Sequence, residues 1–260
     1  MRQLANLRKA DKAHGDDLTL TRWIKEPGRH AKPSATALMP ADATGTRFKS
    51  RVIHPRDMTN LLVSGHSNVK LGRDVRKGPL RGYWIYTLSL QERATCPTSC
   101  QHWRSCYGNA MPFAKRIDHT SPDFLPRLAE EIERLLSVRG RAGILIRLHA
   151  LGDFYSPEYV GFWRRMLVRH PRLAIFGYTA RNNEDDIGPA VFALRRDFGR
   201  RAMIRSSNGE RHNLATVSIK TEADCPENAF VCPEQTGKTR CCATCAACWS
   251  TERNVAFLEH

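Results

Sequence analysis

All nine cysteines of this 260-residue chain fall in two short stretches, Cys96, Cys100 and Cys106 in one, and Cys225, Cys232, Cys241, Cys242, Cys245 and Cys248 in the other. Thiols that serve only as small apolar core residues scatter along a chain, so the grouping points to metal ligation. A disulfide framework is the bland alternative, but it belongs to small secreted domains without a core, and an odd thiol count suits it poorly. The first ten residues, M-R-Q-L-A-N-L-R-K-A, form no apolar signal segment, and no stretch is long and apolar enough to cross a bilayer. These features predict a cytoplasmic protein with no membrane partner, whose thiols stay reduced.

Spacing bears on the choice of metal. Structural zinc is usually held by two Cys/His pairs separated by a finger or ribbon. Here Cys242, Cys245 and Cys248 are each separated by two residues, with Cys232 upstream. The C-A-T-C-A-A-C run resembles the cubane loop of bacterial ferredoxins, which implies an iron–sulfur cluster of the 4Fe–4S type, with zinc as the alternative. Adjacent Cys241 and Cys242 contribute one ligand between them. Two ligand sets follow. In one, Cys232, Cys242, Cys245 and Cys248 hold a closed cluster and Cys96, Cys100 and Cys106 an open one; in the other, both groups share a single cluster that staples the domain. Cys225 completes either arrangement, so one cluster and two clusters are both expectations.

The formal charge is +15, and it is unevenly placed. Residues 1–60 carry 12 Lys/Arg against 6 Asp/Glu, residues 61–120 carry 9 against 3, and the last 60 balance at 7 against 7. Such asymmetry suits a polyanion, most simply nucleic acid, although a merely solvated basic surface has the same composition. Lys70, Arg73, Arg76, Lys77 and Arg81 are the phosphate candidates, since they sit in a glycine-containing loop whose one acid is Asp74. Lys238 and Arg240 lie beside the C-terminal cysteines and join them. The P-E-Q-T-G-K-T segment lacks the first glycine of a phosphate loop and has no room for its helix. Trp249 and Phe257 are either stacking platforms or shields against water.

Along the chain, residues 1–60 mix basic residues with proline steps and show no sustained period, which predicts a loosely ordered basic arm. Residues 61–222 read as an α/β core, and 223–260 as a cysteine-rich tail packed on it. The aromatic, alternating segment Tyr83–Leu90 is the first clear strand. Strands then begin near residues 144, 173 and 202, separated by helices whose apolar stripes include Leu128, Ile132, Trp163 and Val191. A recurrence of 28 or 29 residues is the length of a βα unit, so the expected fold is a parallel sheet, open or curled into a partial TIM-like barrel.

Function in such sheets gathers at the carboxyl ends of the strands. The first strand leads to Cys96, Cys100 and Cys106; the next leads through His149 to Gly152 and Asp153. His149 is a candidate base or phosphate ligand, or else a hydrogen-bonded core histidine. Asp153 is a candidate for catalysis, or a loop cap. The order of strand, three-cysteine loop, helix, strand and Gly-acid turn resembles the radical S-adenosylmethionine enzymes. That resemblance implies a cluster with one open iron on Cys96, Cys100 and Cys106, and an S-adenosylmethionine contact at Gly152 and Asp153. The chain departs from that family in having five residues, not two, between its second and third cysteines, and one glycine with an aspartate in the turn. The segments R-L-H-A-L-G-D-F-Y-S-P-E-Y and C-P-E-Q-T-G-K-T-R-C-C-A-T-C-A-A-C-W-S resemble a group of phage- and plasmid-borne proteins related to a mycobacteriophage gene product. That second resemblance implies no activity. The resulting expectation is an iron–sulfur protein that binds nucleic acid. Its alternatives are a radical S-adenosylmethionine-like enzyme acting on nucleic acid or a small molecule, and a zinc-stapled, non-enzymatic binding module.

Overall fold

A computed structural model describes residues 37–68, 70–207 and 214–259. In chain order its elements are β1 (Val52–Ile53), β2 (Val63–Ser64), β3 (Trp84–Ser89), β4 (Arg116–Ile117), α1 (Phe124–Val138), β5 (Ile144–Leu151), α2 (Pro157–Arg169), β6 (Leu173–Thr179), α3 (Gly188–Phe198), β7 (Ala202–Ser206), β8 (Thr216–Ile219), β9 (Ala229–Val231), the short helices α4 (Cys242–Cys245) and α5 (Ala247–Ser250), and β10 (Asn254–Leu258).

The helices form for local reasons that also aim them. In α1 the buried residues Phe124, Leu128, Ile132, Leu135 and Leu136 recur at helical spacing and make one apolar stripe. Ser156 caps α2, its Oγ accepting from Tyr159 N at 3.2 Å, and Pro157 supplies a preset φ in the first turn. Gly199 stops α3 with φ +51°, a conformation costly for any residue with a Cβ.

The main sheet has the order β2-β3-β5-β6-β7, parallel except for β2, which runs antiparallel to β3. Each new strand is laid beside the last in one direction. Right-handed crossovers then put α1, α2 and α3 on one face. On that face Tyr86, Leu88, Ile146, Leu148, Ile175 and Ile204 meet the helical stripes. The opposite face presents Ile85, Leu145, Ala174, Phe176 and Met203, and the tail covers it with Cys241, Ala243, Ala246, Cys248 and Trp249. Burial on both faces is why these strands read as nearly unbroken apolar runs. The expected parallel α/β sheet is present. It is open, with β2 and β7 at its edges, and not a closed barrel.

The N-terminal expectation divides. Residues 1–36 lie outside the described residues. Residues 37–60 are folded onto the core: β1 pairs with β4, Met39 N donates to Arg104 O at 3.0 Å, and the Trp103 indole donates to Ala41 O at 2.9 Å. These contacts are to backbone carbonyls, which leave no apolar period in the sequence. A second parallel sheet, β8-β10-β9, stands beside the main one, with β10 in the middle. Among the described residues, no helix is long and apolar enough to cross a membrane.

Candidate functional site

The first cysteine loop is built on buried charge. Glu92, just past β3, accepts from Arg116 at 2.8 Å on each carboxylate oxygen and from Thr46 Oγ1 at 2.9 Å. The remaining Arg116 contacts go to the carbonyls of Gly108, Met111 and Ala114. Arg93, at φ +62°, donates to Trp103 O and Gly45 O and also bonds Asn109. Two guanidiniums thus gather carbonyls of the 96–116 loop around themselves, and Cys96, Cys100 and Cys106 lie in the segment they hold. Burial pushes all three thiols up from their ordinary value; Cys96 also feels Cys100 and Cys106, and Cys100 feels Cys106.

Asp153 ties this loop to the sheet. Its carboxylate accepts from Phe154 N and Thr179 Oγ1 at 2.7 Å and from Ala180 N at 2.8 Å, while its own N–H donates to Thr95 Oγ1 at 3.1 Å. Arg181 bonds both Thr95 O and Phe154 O at 2.8 Å. Burial raises the carboxyl to about 6 against the pull of these donors. The carboxylate also acts electrostatically on Cys96 and Cys100, so the Gly-acid turn and the cysteine loop do converge. Gly152 permits this convergence: with φ +90°, a Cβ there would stand 2.7 Å from Thr95 Oγ1 and 2.8 Å from Leu90 Cβ.

His149 takes the bland alternative. Its Nε2 bonds the Tyr159 hydroxyl at 2.9 Å, and its ring packs edge-on against Phe154, within the layer between sheet and α2. Burial drives its pKa down from 6.5 to about 3. The unfolded chain therefore takes up a proton here before the folded one does. The stability this neutral histidine contributes is full above about pH 6.5 and is lost as pH falls toward 3. His149→Gln is expected to flatten the decline of the urea midpoint between about pH 6.5 and 4; an equally steep decline would show that other groups dominate acid unfolding.

The second group lies on the other face of the sheet. Cys232, Cys242, Cys245 and Cys248 line one small cavity together with Phe230, Glu234 and Trp249. The helix α4 is docked by backbone bonds, Cys242 N to Lys70 O and Ala243 N to Leu71 O at 2.8 Å, with Arg76 N donating to Ala243 O at 3.0 Å. Fully buried Arg205 holds the following turn through the carbonyls of Cys248 and Arg253. Tyr178 donates its hydroxyl to Cys248 Sγ at 3.2 Å. Trp249 is fully buried, stands edge-on to Phe176 and lines the cavity, whereas Phe257 is half-buried, stands edge-on to Tyr178 and does not line it. Burial raises Cys232 and Cys242, whose thiol neighbours belong to this same group. Cys241 caps α4 from a buried position, and Cys225 packs against the small sheet; neither lines the cavity. Among the described residues, no group of three or more His, Cys, Asp or Glu side chains is arranged to hold a single metal ion.

The basic loop turns inward more than its composition predicts. Lys70 pairs with the cavity residue Glu234 at 3.4 Å, and Arg73 and Arg76 both pair with Asp74. Lys77 and Arg81 remain exposed. Lys238 pairs with Glu222 at 3.3 Å, and Arg240 is half-buried. This segment is chiefly the platform on which α4 rests. Sequence reasoning missed Glu92, Arg93, Arg116, Thr95 and Arg181, all of which position the first loop. Their only signal was a charged pair, Glu92-Arg93, set between a strand and a cysteine.

Comparison with known proteins places the chain. The Gene 88 protein of Mycobacterium phage L5 is 27% identical to it over 139 residues, which are 46% of this chain and 56% of that protein. The chain thus spans little more than half the length of that relative. No solved structure matches. The sequence profile of the family described as Gene product 88 matches residues 60–251, a span that takes in both cysteine groups and every strand of the main sheet, and the chain belongs to that family.

Proposed function

We propose that this is an iron–sulfur protein with two clusters that engages nucleic acid. The observation that carries the reading is the separation of the thiols into two sets, one of four lining a single cavity and one of three on the loop after β3. The donor set suits iron, because thiolates held by rigid backbone beside a buried aromatic, here Trp249, are the usual ligands of cubanes. Cys232, Cys242, Cys245 and Cys248 would hold a closed cluster, and Cys96, Cys100 and Cys106 an open one. Such groups supply one-electron transfer. The protein's own part is to fix the thiols, through Glu92, Arg116, Asp153 and Arg205, and to exclude water.

Anaerobic purification and reconstitution should give a brown protein with about eight irons and matching sulfide per chain. Cys242→Ser should remove about half of the iron and leave the rest. A colourless zinc protein would support the stapled binding module instead, and a protein with neither iron nor sulfide would end the reading.

A second reading, a radical S-adenosylmethionine-like enzyme, is favoured by one observation. The three-cysteine loop after β3 and Asp153 after β5 meet at one end of the open, mostly parallel sheet. Reductive cleavage of S-adenosylmethionine by the fully loaded protein tests it, and no cleavage would remove it.

The nucleic-acid component rests on charge. Arg47, Lys49, Arg104 and Lys115 are exposed on the segments around Phe113, whose ring is 85% exposed, and the Arg51 guanidinium bonds Phe113 O at 2.7 Å. Cations around an open aromatic suit a single strand, whose bases stack and whose phosphates pair. Binding to a single-stranded oligonucleotide should weaken steeply with salt, with a logarithmic slope near −0.7 per phosphate neutralised, and Lys49→Glu with Lys115→Glu should flatten that slope. Affinity that ignores salt would contradict this part alone.

A further inference from the structure

Arg147 is a cation without a carboxylate. It lies on β5, on the sheet face covered by the tail, with its guanidinium 5.8 Å from the centre of the Tyr178 ring. Its Nε is buried and has no hydrogen-bond partner, and among the described residues no Asp or Glu forms an ion pair with it. Its electrostatic neighbours are Tyr107, Tyr178, Cys242 and Cys248. Tyr107 bonds Ala150 O, and Tyr178 donates to Cys248 Sγ, so neither phenol is a resident anion. A half-buried guanidinium with its Nε shut off from water and no counter-charge is costly, and the groups able to supply one here are the thiols of the second cysteine set.

We propose that Arg147 is the counter-charge of the four-cysteine cluster, and that with Tyr178 it sets how easily that cluster is reduced. The proposal rests on the iron–sulfur reading above. Four thiolates and a cubane core carry net negative charge. Uptake of one electron from a low-potential donor makes the charge more negative by one, breaks no bond and moves no proton. A fixed cation beside Cys242 and Cys248 favours the reduced state, and the Tyr178 O–H donated to Cys248 Sγ acts in the same direction by drawing charge off the sulfur. Arg147 touches no reacting atom in this scheme; it is a positioning residue for charge.

The test uses full-length protein in which Cys96, Cys100 and Cys106 are serine, so that only the second set reports. After anaerobic reconstitution, iron is counted, and the cluster is titrated with dithionite and followed by electron paramagnetic resonance. Arg147→Met should load iron but lower the equilibrium constant for reduction about tenfold or more, a shift of about 59 mV or more to negative potential for a one-electron couple. Tyr178→Phe should shift it the same way by less, and Arg147→Lys should stay near the parent. Iron-loaded Arg147→Met and Tyr178→Phe proteins with the parent's potential would overturn the proposal and leave the cluster reading standing. A parent that takes up no iron would sink both. If Arg147→Met loads no iron, Arg147→Gln and Tyr178→Phe decide by the same measurement.

Discussion

Methionine at position 116 is expected to lower the unfolding free energy by about 3–5 kcal/mol, the range for removing one partner of a buried ion pair. Arg116 has no exposed surface and Glu92 is 1% exposed. The substitution strips the Glu92 carboxylate of both its arginine bonds and leaves the carbonyls of Gly108, Met111 and Ala114 without their shared donor. Since those carbonyls belong to the segment that directly follows Cys106, loss of order should be greatest there. Urea unfolding measures the first effect, and protease sensitivity between residues 96 and 116 the second. The double variant Glu92→Gln with Arg116→Met should recover part of the stability, because it removes the orphaned charge. A single variant within about 1 kcal/mol of the parent would mean that water reaches the pair and screens it.

Alanine in place of Gly177 should be at least as damaging. Gly177 on β6 pairs with Leu148 on β5, and a Cβ at that position would sit 1.4 Å from Leu148 O. Backbone on a central strand has no free volume to yield, so the two strands must part. The expected cost exceeds about 4 kcal/mol, the range reserved for a named steric failure. Because β5 leads to Asp153 and β6 to Thr179, separation of this pair should also release the first cysteine loop. Gly140, with nothing within 4 Å of its added Cβ, provides the contrast; Gly140→Ser should cost only the strain of its φ of +57°. Parallel thermal melts of the two variants settle the comparison, and a soluble, parent-like Gly177→Ala protein would show the approach to be looser than described.

What the sequence made legible was whatever depends on apolar periodicity. The four parallel strands begin within a residue of the positions expected, because both faces of the sheet are buried and the runs are long. The two cysteine groups were legible from spacing alone. The packing of residues 37–60 was not, because it depends on side chains reaching carbonyls, Trp103 to Ala41 and Asn109 to Ala37. His149 was ambiguous for a related reason: position on a strand does not say which face the ring takes, and here it turns to α2. Lys70 counts as an unpaired charge in the sequence because its partner Glu234 is 164 positions away, whereas Lys77 and Arg81 do stay exposed. Arg147 was visible only as a lone cation in a nearly unbroken apolar run, and the sequence does not say what it faces.

In the small sheet, β8 and β9 never touch; each bonds only to β10, which enters between them. The strand that unites this unit is therefore the one synthesised after the four cysteines of the cavity. On a ribosome, the thiols emerge before the wall that closes behind them exists. Val255 of β10 is the last lining residue of the cavity to be made, so the pocket is complete only once this strand takes its place.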